Sequence, residues 1–364
     1  MVAAGVHHLA DHAAAAVGNV CPSDLLVGDA AGRAAADELR LADLSGKWWP
    51  AGLLSRCEAL QANDLRYAFI DRIPRSWFFG KSVVQAIAGA LAIKDDRACQ
   101  AAAVMNVFVT TFDGICDEVP ELIPGILPQI TDLVNRFPAP GSASPSNGNP
   151  VIQLAWAAAV SFESIVNEGL VMSTRAIRDA MVASVQQAFH AQLATLPWMR
   201  TRLNGPSVEI PDVRAAVSTG PFRVALLLPL LFSPDSAIPL GQLDSLAVAF
   251  GRHFGWIDDL VDLEADLRFN RPNMVSELAK ISGAFELSAL TADDPLVVTI
   301  IGEARRRFQA VRATLIDLGI KTPECERQLA VNTAMWLGTS SSGSGLKPAA
   351  RPGAADASPG PSRR

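Results

Sequence analysis

Phe250-Gly251-Arg252-His253-Phe254-Gly255-Trp256-Ile257-Asp258-Asp259-Leu260-Val261-Asp262-Leu263-Glu264-Ala265-Asp266 is the stretch on which the fold turns. Phe250, Phe254, Asp258, Asp262 and Asp266 recur every four residues, so in a helix they form one row whose lower half is apolar and whose upper half is acidic. Like charges one turn apart repel, and a helix that tolerates them usually carries a compensating cation. Carboxylates with no nearby His or Cys ligand suit Mg²⁺ better than zinc or copper. Upstream, Met105, Val109, Asp113 and Asp117 form a second such row, flanked by Phe108, Phe112 and Cys116 and closed by Glu118. Two helices built alike predict a pocket that is apolar below and metal-binding above, able to grip a diphosphate.

Working outward, apolar residues recur at helical spacing nearly everywhere, and no strand-like alternation is sustained. Hydrophobic residues make up 49% of the 364, with one Tyr, which biases the chain toward helix and supplies ample core. The reading is all-α, a single helical bundle or barrel around an apolar cavity. Breaks at Pro74, 137–150, Asn204-Gly205-Pro206, 233–239, 270–273 and Pro323 predict helices near 51–71, 77–94, 97–118, 121–136, 151–171, 173–196, 211–232, 240–268, 291–318 and 323–337. Residues 1–45 read as a loosely structured N-terminal extension, 46–338 as one domain, and the Ser/Gly/Pro-rich 339–364 as a disordered tail.

The formal net charge of −6 gives no basic stripe for nucleic acid. Five scattered cysteines without a C-x-x-C pair favour reduced thiols and a cytoplasmic protein. His and Asp residues interrupt the N-terminal apolar run, which argues against a signal peptide. Leu226–Phe232 is too short for a membrane span and reads as a buried helix. His190 and His253 read as surface or core residues, and Glu163, Glu168 and Arg175 as residues of solvated helix faces.

Between the acidic rows lies Arg214-Ala-Ala-Val-Ser218-Thr219-Gly220-Pro221-Phe-Arg223. A cation, two hydroxyls and a Gly-Pro break expected to free backbone N–H groups suit an anionic phosphate. With this element, the chain resembles the class I isoprenoid synthase superfamily of terpene cyclases and trans-prenyltransferases, whose two acidic motifs face each other across an α-helical barrel. Asp113 and Asp117 match the outer positions of the first, D-D-x-x-D, motif, and Gly114 replaces its second aspartate. Asp258, Asp259 and Asp262 match the prenyltransferase form of the second motif, while Asp258, Asp262 and Asp266 keep the cyclase spacing. Arg214 resembles the diphosphate-sensing arginine of bacterial cyclases.

The resemblance implies Mg²⁺, three ions, on a metal set drawn from Asp113, Asp117, Glu118, Asp258, Asp259, Asp262 and Asp266, with Asp113, Asp117, Asp258, Asp262 and Arg214 carrying catalysis. It implies a prenyl diphosphate substrate held by Arg214, Ser218, Thr219, Arg223, Lys81 and Arg271, with Phe108, Phe112 and Phe254 facing a carbocation and Phe79, Trp156 and Trp256 as further candidates. The expected activity is that of a terpene synthase, a lyase; a homodimer is an expected assembly. Alternatives are a chain-elongating prenyltransferase, and a noncatalytic subunit, which Gly114 would fit. Elongases carry a basic G-K-R-x-R-P segment, where this chain has Gly80-Lys81-Ser-Val-Val-Gln-Ala. The Arg-Tyr pair that ends many cyclases is absent too, since the one tyrosine is Tyr67.

Overall fold

The computed structural model describes residues 73–93, 95–139, 149–194, 210–233, 238–268, 273–278 and 294–320, together with Leu53, Thr322, Cys325, Leu329, Asn332 and Thr333. The expected N-terminal extension, the helix over 51–71 apart from Leu53, most of the helix over 323–337, Arg271 and the C-terminal tail lie outside the described residues.

Every regular element among the described residues is helical. In chain order these are α1 (Ile73–Ala90), α2 (Asp96–Glu118), a 3₁₀ turn (Pro120–Leu122), α3 (Ile123–Arg136), α4 (Pro150–Met172), α5 (Arg175–Ala194), α6 (Ile210–Leu231), α7 (Leu240–Val261), α8 (Leu263–Arg268), α9 (Met274–Leu278) and α10 (Pro295–Asp317). The starts follow local chemistry: Asp95, Asn149 and Asp294 accept hydrogen bonds from the first free N–H groups of α2, α4 and α10, and proline stands in the first turn of α4 and α10.

Helices α2 and α6 are the inner pair. α2 packs on α1 and α4, α6 on α5 and α7, and the two touch each other, while α10 covers the outside of α7. α2 is also the one helix among the described residues long and apolar enough to cross a membrane, yet most of that apolar stretch is buried by the other helices. The Leu226–Leu231 run is likewise core, with Leu226, Leu228, Leu230 and Leu231 fully buried.

Two departures from the sequence reading matter for the site. First, α6 runs unbroken through Gly220-Pro221, so the expected opening after Thr219 does not form. Proline removes an N–H and so orphans a carbonyl one turn back, freeing no donor, and the Thr219 hydroxyl donates to the Ala215 carbonyl (2.6 Å) inside the helix. Gly220 instead serves packing, because a Cβ there would stand 2.6 Å from the Ala188 Cα of α5. Second, the helix expected over 240–268 is interrupted at Asp262, which caps α7 with φ −92° and ψ 4°. The one-turn hydrogen bonds survive the interruption: Asp262 N–H donates to Asp258 O (2.9 Å) and Asp266 N–H to Asp262 O (2.8 Å). The acidic residues therefore keep their helical spacing across a local bend.

Candidate functional site

Close approach of α6 and α7 sets the geometry. Gly251 faces Thr219 so tightly that any Cβ would overlap it, and one on Gly255 would come 2.6 Å from the Ser218 hydroxyl. Ser218 and Thr219, expected at a phosphate, are thus spacers between two helices. Their contact brings Arg214, one turn earlier on α6, beside Asp258 and Asp259, one turn after Gly255 on α7.

The Arg214 guanidinium donates through Nε to Asp259 Oδ1 (2.9 Å) and through Nη2 to the same oxygen (2.5 Å) and to Asp258 Oδ2 (3.3 Å). Asp259 is completely buried, and its other oxygen accepts the Met274 N–H (2.6 Å) at the start of α9. Both oxygens of Asp259 are therefore engaged, which suits an anchor for Arg214 better than the expected metal ligand. Asp266 is turned inward as well: it accepts from the Asn273 amide (2.8 Å), which also donates to the Asp259 carbonyl (2.6 Å). Burial, opposed by that hydrogen bond, brings the Asp266 carboxyl to about 7.

Asp113 arrives from α2 on the other side. Its Oδ1 accepts from the Gln192 amide of α5 (2.6 Å). Its charge acts on both Arg214 and Asp258, so the two acidic segments lie within electrostatic reach of one another. Burial alone would lower the Arg214 pKa, but Asp259 and Asp258, with Asp113 behind them, outweigh it and keep the cation firmly charged. Burial, with repulsion from Asp262 and Asp113, raises the Asp258 pKa well above the ordinary carboxylate range despite Arg214. One cation thus stands among more negative charge than it neutralises, the electrostatic setting in which a divalent ion is welcome.

The predicted ligands do not assemble into a single cage. Among the described residues no three acidic, His or Cys side chains are grouped closely enough to hold a metal ion. Asp113, Asp117, Glu118, Asp258 and Asp262 remain partly solvent-accessible at the helix ends, whereas Asp259 and Asp266 are buried. On donor chemistry the accessible carboxylates fit hard, oxygen-liganded cations.

Beneath Asp113 lies an apolar cavity between α2, α3, α4, α5 and α6, with an empty volume of about 620 Å³, open space at its mouth included. Phe108 and Phe112 stack in it (5.7 Å, 7°), and Phe112 meets Phe189 (5.5 Å). Gln192, the partner of Asp113, lines the same cavity, so the acidic cluster borders it at this end, here called its mouth.

Other expected site residues lie elsewhere. Arg223 follows Arg214 by nine residues, half a rotation away on the helix; it pairs with Asp244 and donates to Gln187 Oε1 (2.5 Å). Lys81 sits over the Trp77 ring (5.9 Å), and its charge acts on Cys99 near the start of α2, roughly 21 Å along that helix from Asp113 at 1.5 Å per residue. Phe254 and Phe79 belong to a separate aromatic cluster with Phe222 and Phe250. Trp256 is core under Arg307 (4.7 Å). His253 is core and His190 exposed, as read from sequence.

Sequence reasoning missed Gln192 and Glu163. Glu163 is 1% exposed and lines the cavity, where a solvated face was expected. The signal was available: Ile152, Ala155, Ala159, Glu163, Val166 and Leu170 share the helical spacing of a buried face.

Neither a protein-family model nor a curated protein sequence matches the chain. Among solved structures it is similar to the linalool/nerolidol synthase of Streptomyces clavuligerus in complex with 2-fluorogeranyl diphosphate, at 14% identity and a TM-score of 0.46, over 80% of this chain and 93% of that one. It is also similar to farnesyl diphosphate synthase of T. brucei, solved with homorisedronate (12% identity, TM-score 0.37, 85% of this chain and 98% of that one) and with risedronate (11% identity, TM-score 0.34, 85% and 97%).

Proposed function

We propose that the protein is a class I terpene synthase, which ionises a prenyl diphosphate at the Asp113/Asp258/Arg214 mouth and lets the resulting carbocation react in the cavity below. The observation that carries this reading is an adjacency: Asp113 acts on Arg214 and Asp258 and accepts a hydrogen bond from Gln192, which itself lines an apolar aromatic-walled cavity. An allylic diphosphate needs both halves, because its leaving group is a polyanion and its hydrocarbon must be kept from water.

Mg²⁺ bound by Asp113, Asp117, Asp258 and Asp262 would supply the positive charge that stabilises the departing diphosphate. The protein's own contributions are definable. Arg214, held by Asp259, keeps a permanently charged guanidinium beside Asp258 and would donate to diphosphate oxygens in exchange for its weaker bond to Asp258. Gln192 orients Asp113. Phe108, Phe112 and Phe189 exclude water and offer ring faces to a cation.

The distance of Lys81 from the mouth counts against chain elongation, since the one basic residue of Gly80-Lys81-Ser-Val-Val-Gln-Ala, where elongases carry their basic segment, lies toward the other end of α2. The test is incubation of the protein and MgCl₂ with geranyl, farnesyl or geranylgeranyl diphosphate, with and without isopentenyl diphosphate. Hydrocarbon or alcohol formed without isopentenyl diphosphate is the expected result. A longer diphosphate formed only with it would establish elongation, and the absence of any reaction would point to the noncatalytic subunit.

A further inference from the structure

Away from Asp113 the lining of the cavity changes character at one residue. α4 runs antiparallel to α2, its last turn meeting the first turn of α2 through Glu168 and Arg97 (3.1 Å). Five residues before Glu168, Glu163 therefore stands level with about residues 102–105 of α2, roughly 12–17 Å along that helix from Asp113 at 1.5 Å per residue. It is 1% exposed, and neither carboxyl oxygen has a hydrogen-bond partner. Its neighbours in the cavity wall, among them Met105, Phe108, Phe137 and Phe162, are apolar. No other lining residue from α2, α3, α5 or α6 titrates; the remaining polar group is Gln192, already committed to Asp113 at the mouth.

A buried carboxyl without a partner is costly, and proteins seldom keep one without a ligand or a reaction to answer it. Burial raises its pKa, which makes the ionised form a stronger base and leaves it seeking positive charge. In a cavity otherwise walled with hydrocarbon, the partner that fits is a cation carried on an apolar skeleton.

We propose that Glu163 is the anionic floor of the cavity, where its carboxylate pairs with the hydrocarbon cation and accepts the proton that ends the reaction. This rests on the terpene synthase reading and extends it to the terminating step. The C–H bond next to the cationic carbon breaks, its electron pair becomes the second bond of an alkene, and the proton passes to a Glu163 oxygen. The carboxylic acid so formed gives the proton to water after the neutral product leaves. Because the carboxylate is unpaired before ionisation and paired afterwards, its electrostatic contribution is larger for the cation than for the substrate, as catalysis requires.

The test has two arms on the full chain. Binding of N,N-dimethyloctylamine, protonated and carrying an apolar chain, is measured by titration at mildly alkaline pH in wild type, Glu163→Gln and Glu163→Leu. The account expects at least tenfold weaker binding in both variants, and an affinity that rises with pH through the Glu163 titration in wild type alone. Thermal melting checks folding, and either variant that melts no lower than wild type suffices. In the second arm, Glu163→Gln is expected to release diphosphate from the wild-type substrate more slowly, because the carboxylate no longer stabilises the developing cation, and its products shift from alkene toward water-quenched alcohol. Equal amine affinity in a folded variant, or unchanged products at unchanged rate, overturns the role of Glu163. Wild type that binds the amine through Glu163 but releases no diphosphate from any of the three substrates leaves the anionic floor standing and removes the synthase reading and the proton step with it.

Discussion

The two ends of the cavity bury carboxylates in opposite ways. At the mouth, Asp259 is fully buried and fully satisfied, by Arg214 and by the Met274 N–H, and it holds the guanidinium where Asp258 and Asp113 converge. At the floor, Glu163 is as deeply buried and has nothing. The first arrangement is a scaffold: charge, counter-charge and hydrogen bonds are complete before any ligand arrives. The second is a site that only a ligand completes. Between these extremes stands Asp258, which shares Arg214 and yet is raised by burial and by its acidic neighbours. A paired carboxylate supports structure; an unpaired one is held against the interest of stability.

That contrast predicts different answers to the same kind of substitution. The largest effect should fall on turnover at the mouth: Asp113→Ala and Asp258→Asn each lower diphosphate release about 10³-fold, the scale of losing one electrostatic contact to the transition state. Asp258→Asn should do so without lowering the melting temperature, because it removes a repelled charge; a clear drop would mean that Asp258 is scaffold too.

Next comes Arg214→Leu, which strands Asp259 as an uncompensated buried charge. A loss of about 3–5 kcal/mol in denaturant unfolding is expected, and a loss near zero would break the scaffold half of the comparison. Gly251→Ala, which pushes α6 from α7 at Thr219, should cost about 1–3 kcal/mol as overpacking, readable in the same experiment.

The smallest effect is a slope. Glu163 titrates near 4.5 when unfolded and higher when folded, so the native state binds more protons in that interval and stability falls as pH rises through it. The deficit is complete above the folded value. Glu163→Gln should flatten this part of the pH–stability curve and leave the variant at least as stable at neutral pH; a curve with unchanged slope would mean that the carboxyl has an undetected partner.

How legible these regions were in sequence follows the same division. The acidic rows announced themselves because repeated like charges at helical spacing are improbable on a bland surface, and the helix pattern around them emerges with ends shifted by a few residues. What sequence could not supply was partnership. Asp258 and Asp259 look equivalent in the chain, but a turn of one residue around the helix leaves one partly accessible with a long bond to Arg214 and buries the other between Arg214 and the Met274 N–H. Arg223 looked like a second phosphate ligand until its half-rotation from Arg214 turned it to Asp244. Gly220-Pro221 looked like a helix break, yet packing against Ala188 keeps the helix whole. Phe254 shares a row with Asp258 but faces Phe79 and Phe222 across a neighbouring core cluster. Glu163 was passed over because a lone glutamate in a helix is usually solvated, although its apolar neighbours at helical spacing marked the face as buried.

Titration calorimetry of inorganic pyrophosphate against the wild-type protein, Asp113→Asn and Asp258→Asn, each with and without MgCl₂, tests the acidic mouth most directly. The account predicts binding by wild type that requires Mg²⁺ and is lost in both variants. Binding that is indifferent to Mg²⁺ or to either substitution, or no binding by wild type at all, would contradict it.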